Sequence, residues 1–164
     1  MLEGRSTVLK FNRYTSEQTI IDNGIGQGNP LSMVLYQYYN VDLLDIPDCK
    51  GESAVAYVDD AFMLASGKNF QSAHQKLCNL MEKQRGVINW STMHSSLLEY
   101  SKLALINFAS RHKKTNNPSL ALTHRTIKPT DSTKYLGVIV DRHLNWKAQQ
   151  SHMVEKGTKW AMQI

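Results

Sequence analysis

Two adjacent carboxylates, Asp59 and Asp60, stand between the short apolar runs SAVAYV and AFMLAS. Like charges this close repel, and neither has a basic neighbour in sequence, so the pair carries an electrostatic cost that a bound cation removes. Magnesium suits the pair, being a hard ion that takes carboxylate oxygens and fills its other positions with water or substrate phosphates. Asp59 is the first-choice ligand with Asp60 beside it, and Mn2+ is the substitute ion. The plain alternative is a solvated Asp-Asp turn. The flanking runs are rich in Ala, Val, Tyr, Phe and Leu, and aspartate tolerates tight turns, so the stretch predicts a β-hairpin with both aspartates at its tip.

Helices flank this hairpin on both sides. Upstream, Asn29-Pro30 is a helix-start signal, Asn29 capping free amides and Pro30 fitting the first helical position. The helix is expected to run through MVLYQYYNVDLL and stop near Pro47. Its apolar residues surround it instead of forming a stripe, which predicts burial against a sheet. Downstream, Asn69 is expected to cap a helix whose Phe70, Ala73, Leu77, Leu80 and Met81 recur at helical spacing, cover one sheet face and end at Gly86. KLALINF, LALTHRTI and KYLGVIVD are three further strand candidates, with a loop over residues 111–119. Asn145 is expected to cap a last helix with Trp146, Met153, Trp160 and Ile164 along one side. The order implies an α+β fold with a mostly antiparallel sheet.

Charge divides the 164 residues unevenly. Residues 1–82 hold 6 Lys and Arg against 10 Asp and Glu, whereas residues 83–164 hold 13 against 4. A basic half suits a polyanion, because each phosphate it neutralises releases condensed counterions. A merely solvated basic surface is the other reading. Cys49 and Cys78 form no Cys-x-x-Cys pair, the six histidines have no metal-ligand spacing, and no Gly-x-Ser-x-Gly is present. These absences argue against a zinc module, a disulfide framework and a serine hydrolase. No run of eighteen apolar residues or signal-peptide core is present, so the expected location is intracellular, nucleus or cytoplasm, without a membrane.

Tyr57-Val58-Asp59-Asp60 resembles the signature of reverse transcriptases, and the upstream Gly24-Ile25-Gly26-Gln27-Gly28-Asn29-Pro30-Leu31-Ser32 is similar to that family's Gly-x-x-Gln-Gly-x-Pro-Leu-Ser motif. Trp90-Ser91, Glu99-Tyr100-Ser101-Lys102, Lys134-Tyr135-Leu136-Gly137 and Leu144-Asn145-Trp146 resemble the later segments of non-LTR retrotransposon enzymes, fungal ones in particular. The resemblance implies a polymerase palm-like antiparallel sheet with packed helices. A partial palm would span residues 1–128, and a primer-grip strand and the start of a helical thumb residues 129–164. It also implies RNA-templated DNA synthesis from dNTPs, with an RNA template and a DNA primer as partners. Asp59 and Asp60 would hold two metals that clamp the attacking and leaving oxygens. Gln27, Gly28, Pro30 and Tyr57 would meet nucleotide and template, and Lys102 would protonate the leaving pyrophosphate. Tyr135, Leu136 and Gly137 would form the primer grip, with Lys134, Lys147 and Lys156 on the nucleic-acid backbone. Lys102 as a solvated edge-strand lysine and KYLGVIVD as a plain core strand remain open. Trp90, Trp146 and Trp160 read better as core than as base-stacking residues.

The sequence also departs from that family. Its metal site takes a further aspartate from an earlier strand, several tens of residues before the Gly-Gln motif, and Asp22 is too near to serve. The template-binding fingers are expected to be missing, and the fragment alone to be inactive. A catalytically silent nucleic-acid-binding remnant is the alternative. Gly26 replaces the usual Pro or Asp, loosening that loop, whereas Asn29 replaces Asp or Ser and keeps the capping oxygen.

Overall fold

The computed structural model describes residues 4–21, 28–110 and 116–162. The chain divides into two compact units, Met1–Asp42 and Leu43–Ile164.

The first unit opens with nested hairpins. β1 (Arg5–Thr7) pairs antiparallel with β4 (Thr19–Ile21), and between them β2 (Lys10–Phe11) pairs with β3 (Tyr14–Thr15). Asn12 makes the inner turn at φ +54, a left-handed conformation that asparagine adopts more easily than most residues. α1 (Pro30–Asn40) starts where the sequence places it: Asn29 Oδ1 accepts from the Leu31 N–H at 3.0 Å, and Pro30 fills the first turn. A 3-10 turn, Val41–Asp45, continues it to just before Pro47. The expected burial does not occur. Only Ser32 and Asn40 of α1 are buried, while Leu31, Val34, Leu35, Tyr38 and Tyr39 are exposed.

The second unit holds the core. β5 (Glu52–Tyr57) and β6 (Asp60–Ala65) form the longest ladder, in the register Tyr57 opposite Asp60 and Ala54 opposite Met63. α2 (Phe70–Glu82) follows, capped reciprocally. Asn69 Oδ1 accepts from the Ser72 N–H at 2.8 Å, and Ser72 Oγ accepts from the Asn69 N–H at 3.4 Å. Its buried Leu80 and Met81 meet Val87 and Trp90 of α3 (Val87–Met93), together with Leu43, Ile46, Leu105, Leu120 and Leu122. α2 ends at Glu82 rather than Gly86, and Lys83 then donates to the Ile46 carbonyl at 2.7 Å. Gly86 begins α3 instead. A Cβ there would lie 2.7 Å from the Leu80 carbonyl oxygen and 2.8 Å from that of Lys83, so the end of α2 closes over a residue without a side chain.

Three strand expectations need correction. LALTHRTI is a hairpin, β7 (Leu120–Leu122) with β8 (Arg125–Ile127), and Glu82 Oε1 accepts from the Thr123 N–H in its turn at 2.6 Å. KYLGVIVD is also a hairpin, β9 (Ser132–Tyr135) with β10 (Val138–Asp141). KLALINF contributes one bridge, Leu105 to Pro129. The described strands therefore form five separate two-stranded antiparallel ladders, an α+β arrangement without a wide sheet. Residues 116–119 of the expected loop are irregular, and 111–115 lie outside the described residues. α4 (Lys147–Ala161) closes the chain.

Candidate functional site

The β5–β6 turn consists of Val58 and Asp59, since Tyr57 and Asp60 are already a ladder pair. Asp60 is thus the first residue of the returning strand, not half of the tip. Val58 has φ +55, which is costly for a β-branched residue, on the order of 1–3 kcal/mol. Asp59 follows on the outside of this strained turn. Both carboxylates are exposed. Among the described residues no hydrogen bond or ion pair holds either one, so their oxygens remain available to a hard cation. Their number falls short of a full set, because no third carboxylate, histidine or thiol gathers with them among the described residues.

A second hairpin presents the residues expected from the sequence to form a primer grip. Tyr135 pairs with Val138, leaving Leu136 at φ +47 and Gly137 at φ +84 as a two-residue turn. Both central residues lie at positive φ, as a type I′ turn requires, and glycine supplies the second without strain. Lys134 is exposed on β9. The Tyr135 ring lies 5.5 Å from that of Phe62 on β6, tilted by 45°.

α4 starts differently from the expectation. Asn145 does not cap it; the residue before the helix is Trp146, in a left-handed conformation with no side-chain cap. Asp141 takes over: Oδ1 accepts from the N–H groups of His143 at 2.9 Å and Asn145 at 3.1 Å, and Oδ2 from that of Trp146 at 2.9 Å. The backbone N–H of Asn145, joined by those of Trp146 and His143, holds the Asp141 carboxyl below its ordinary range, outweighing its desolvation. Gln149 Oε1 accepts from the Ile139 N–H at 2.8 Å and ties the helix to β10. Lys147 and Lys156 are exposed, whereas Lys159 pairs with Glu155 at 2.6 Å. Trp146, Met153 and Trp160 are exposed too, against the core reading, while Trp90 is buried as expected. An open cleft of about 390 Å³ at the start of α4 is lined by Asp131, Asp141, Arg142, His143, Asn145 and Lys147. Its charges are mixed, with Arg142 drawn toward Asp131 at 3.6 Å.

Lys102 is exposed on a 3-10 turn, Tyr100–Lys102, not on a strand edge. Tyr57 is exposed at the end of β5. Gly28, at φ +83, and Pro30 belong to the first unit, and Gln27 lies outside the described residues. Among the described residues, Asp48, Cys49 and Glu52 gather, with ligand atoms within 4.8 Å of one another. This group has an internal partner: Lys83 Nζ lies 2.8 Å from Asp48 and holds that carboxyl below its usual range, and Asp48 in turn pushes the Cys49 thiol up. Cys49 and Cys78 are free thiols. No described helix is long and apolar enough to cross a membrane.

No protein-family model matches the chain, and no solved structure matches it. Among curated proteins it is similar to the RNA-directed DNA polymerase from mobile element jockey of Drosophila melanogaster, 26% identical over 151 residues. The match covers 88% of this chain and 16% of that polymerase. A match of that breadth takes in the middle of the chain, so both hairpins lie within it. The chain is distantly related to a retrotransposon RNA-directed DNA polymerase.

Proposed function

We propose that the chain is a segment of a non-LTR retroelement reverse transcriptase, of fungal type by its later motifs. A partial palm over residues 1–128 leads into the primer-grip hairpin and thumb start over residues 129–164. The longer polypeptide copies an RNA template into DNA from dNTPs. The observation that carries this reading is the breadth of the similarity to the jockey polymerase, which runs through both hairpins. Asp59 and Asp60 would hold Mg2+ or Mn2+, and the ion would supply charge stabilisation to the primer 3′ oxygen and to the leaving pyrophosphate. Their fit is that of two exposed carboxylates with no partner among the described residues. The Val58 turn pre-sets Asp59, and the Leu136–Gly137 turn holds the primer end, so that the reacting groups meet already oriented. Lys102, on its mobile stem, protonates the leaving pyrophosphate. Lys134, Lys147 and Lys156 meet the phosphate backbone, which positions a strand without reading its sequence.

A second reading is favoured by the incomplete carboxylate set: the 164 residues alone bind nucleic acid without catalysis. Fluorescence anisotropy with a primer-template duplex tests the shared part of both. Binding should weaken as salt rises, each phosphate contact adding about 0.9 to the log-log slope. Lys147→Glu with Lys156→Glu should weaken binding and flatten that slope, and Asp59→Asn should leave both nearly unchanged. A flat salt response would remove the nucleic-acid assignment. Primer extension by the isolated chain, lost in Asp59→Asn, would instead eliminate the silent reading.

A further inference from the structure

We propose that Phe62 is a positioning residue whose ring, seated on Tyr135, fixes the hairpin carrying Asp59 and Asp60 relative to the hairpin turned by Leu136 and Gly137. Its functional meaning rests on the reading above; its geometry does not.

Phe62 lies two residues beyond Asp60 on β6, so the alternation of a strand places both side chains on one face, about 7 Å apart along the strand. Tyr135 is the last residue of β9, directly before the Leu136–Gly137 turn. Each ring therefore sits close behind one of the two tips. The centroid separation of 5.5 Å and tilt of 45° fall within the range of favourable aromatic pairs.

The contact matters because the two ladders are separate. β5–β6 and β9–β10 share no strand pairing, so no backbone hydrogen-bond ladder sets the angle between them. The β9–β10 hairpin is tied at its base by backbone hydrogen bonds from Thr130 to Leu105 at 2.8 Å and from Ala109 to Arg142 at 3.0 Å, and β6 packs on α2, so the relative placement of the two tips beyond these anchors is left to side chains. Neither Phe62 nor Tyr135 belongs to the buried core around Leu80, so their meeting is not a by-product of that cluster. The Tyr135 hydroxyl is buried without a hydrogen-bond partner, so it is the ring and not the hydroxyl that makes this contact. The ring pair adds a constraint close behind both tips.

The test uses N–H residual dipolar couplings of the weakly aligned, 15N-labelled 164-residue chain without metal. One alignment tensor should fit both hairpins in the wild type, in Tyr135→Phe and in the conservative Phe62→Tyr. In Phe62→Ala each hairpin should still fit its own tensor, showing that both ladders persist, while the joint fit worsens several-fold. If Phe62→Ala does not fold, Phe62→Leu, which keeps apolar volume without a ring, takes its place. A joint fit undisturbed by loss of the ring overturns the proposal. Mn2+ alone provides the second arm. In the wild type it should broaden the amides of Asp59 and Asp60 and, more weakly, those of Leu136 and Gly137; in the ring-less variant the broadening should stay at Asp59 and Asp60. Unchanged broadening at Leu136 and Gly137 in that variant also overturns the proposal. Absence of broadening at Asp59 in the wild type would count against the metal assignment, and the dipolar couplings would then decide the positioning role by themselves.

Discussion

α2 and α4 are helices of similar length, both expected to turn an apolar face to the core, but the face of α2 is the better segregated and the two end in opposite circumstances. α2 is capped by its own preceding residue, Asn69, and buries Leu80 completely and Met81 nearly so. α4 has no cap from the residue before it, buries none of its residues and leaves Met153 and Trp160 in solvent. Helical spacing of apolar residues announces a face; whether that face is covered depends on what the rest of the chain brings to it. Around α2 the chain brings α3, β6 and β7. At α4 it brings β10 and the hydrogen bond from Ile139 to Gln149.

Substitutions at four positions sharpen this contrast. The largest effect is expected at Leu80. Leu80→Ala opens a cavity under a fully buried side chain and should lower stability by about 2–5 kcal/mol, read from the denaturant midpoint. An effect below about 1 kcal/mol would mean that the cluster around α2 is not the stabilising centre.

Next come the two helix starts, one local and one remote. Asn69→Ala should cost about 1 kcal/mol by freeing the Ser72 N–H. Asp141→Ala should fray the first turn of α4, visible as faster amide exchange at Trp146, while leaving α2 untouched. The pH dependence distinguishes them. The Asp141 carboxyl is held below its unfolded value, so its contribution is complete above the ordinary aspartate range and is lost as pH falls through the lowered folded value. Fraying at Trp146 should therefore appear on acidification in the wild type. It should be independent of pH in Asp141→Asn, which keeps an acceptor oxygen but no titrating proton. Acid fraying that persists in Asp141→Asn would assign it to another group.

The smallest effect is expected at Trp160. Trp160→Ala should change stability by no more than about 0.5 kcal/mol, because an exposed side chain loses little packing. A large loss would reveal a covered face and erase the difference between the two helices.

Much of this was legible in the sequence wherever the decisive interaction spans a few residues. Asn29 and Asn69 cap as expected because each reaches an amide two or three positions on. The 52–65 hairpin follows from its two apolar runs and the Asp-Asp turn signal between them, although the turn falls one residue earlier than expected, at Val58-Asp59, and leaves Asp60 on the returning strand. KYLGVIVD and LALTHRTI read as continuous strands because their apolar content masked the turns at Leu136–Gly137 and Thr123-His124; Gly137 was the available signal for the first. The hairpins of residues 5–21 escaped notice because short, largely exposed strands carry no hydrophobic alternation. KLALINF has strand composition but no partner along most of its length. In the candidate site, Asp59 was singled out by the adjacent Asp60, the flanking apolar runs and the Tyr-Val-Asp-Asp motif. Asp141 was missed because it reaches across as many as five residues to Trp146, and Phe62 because its partner, Tyr135, is far down the chain.

Gly86 has a genetic consequence. Every missense change from a glycine codon adds at least a Cβ, and here that atom would collide with the carbonyl oxygens of Leu80, Met81 and Lys83 at 2.7–2.9 Å. The codon can therefore drift silently but not in meaning without forcing apart the junction between α2 and α3. Among sequences descended from a common ancestor with this one, synonymous change at position 86 in the absence of replacement would mark open reading frames still selected to fold. Replacements there as frequent as at exposed Trp160 would mark lineages in which selection for the folded product has lapsed.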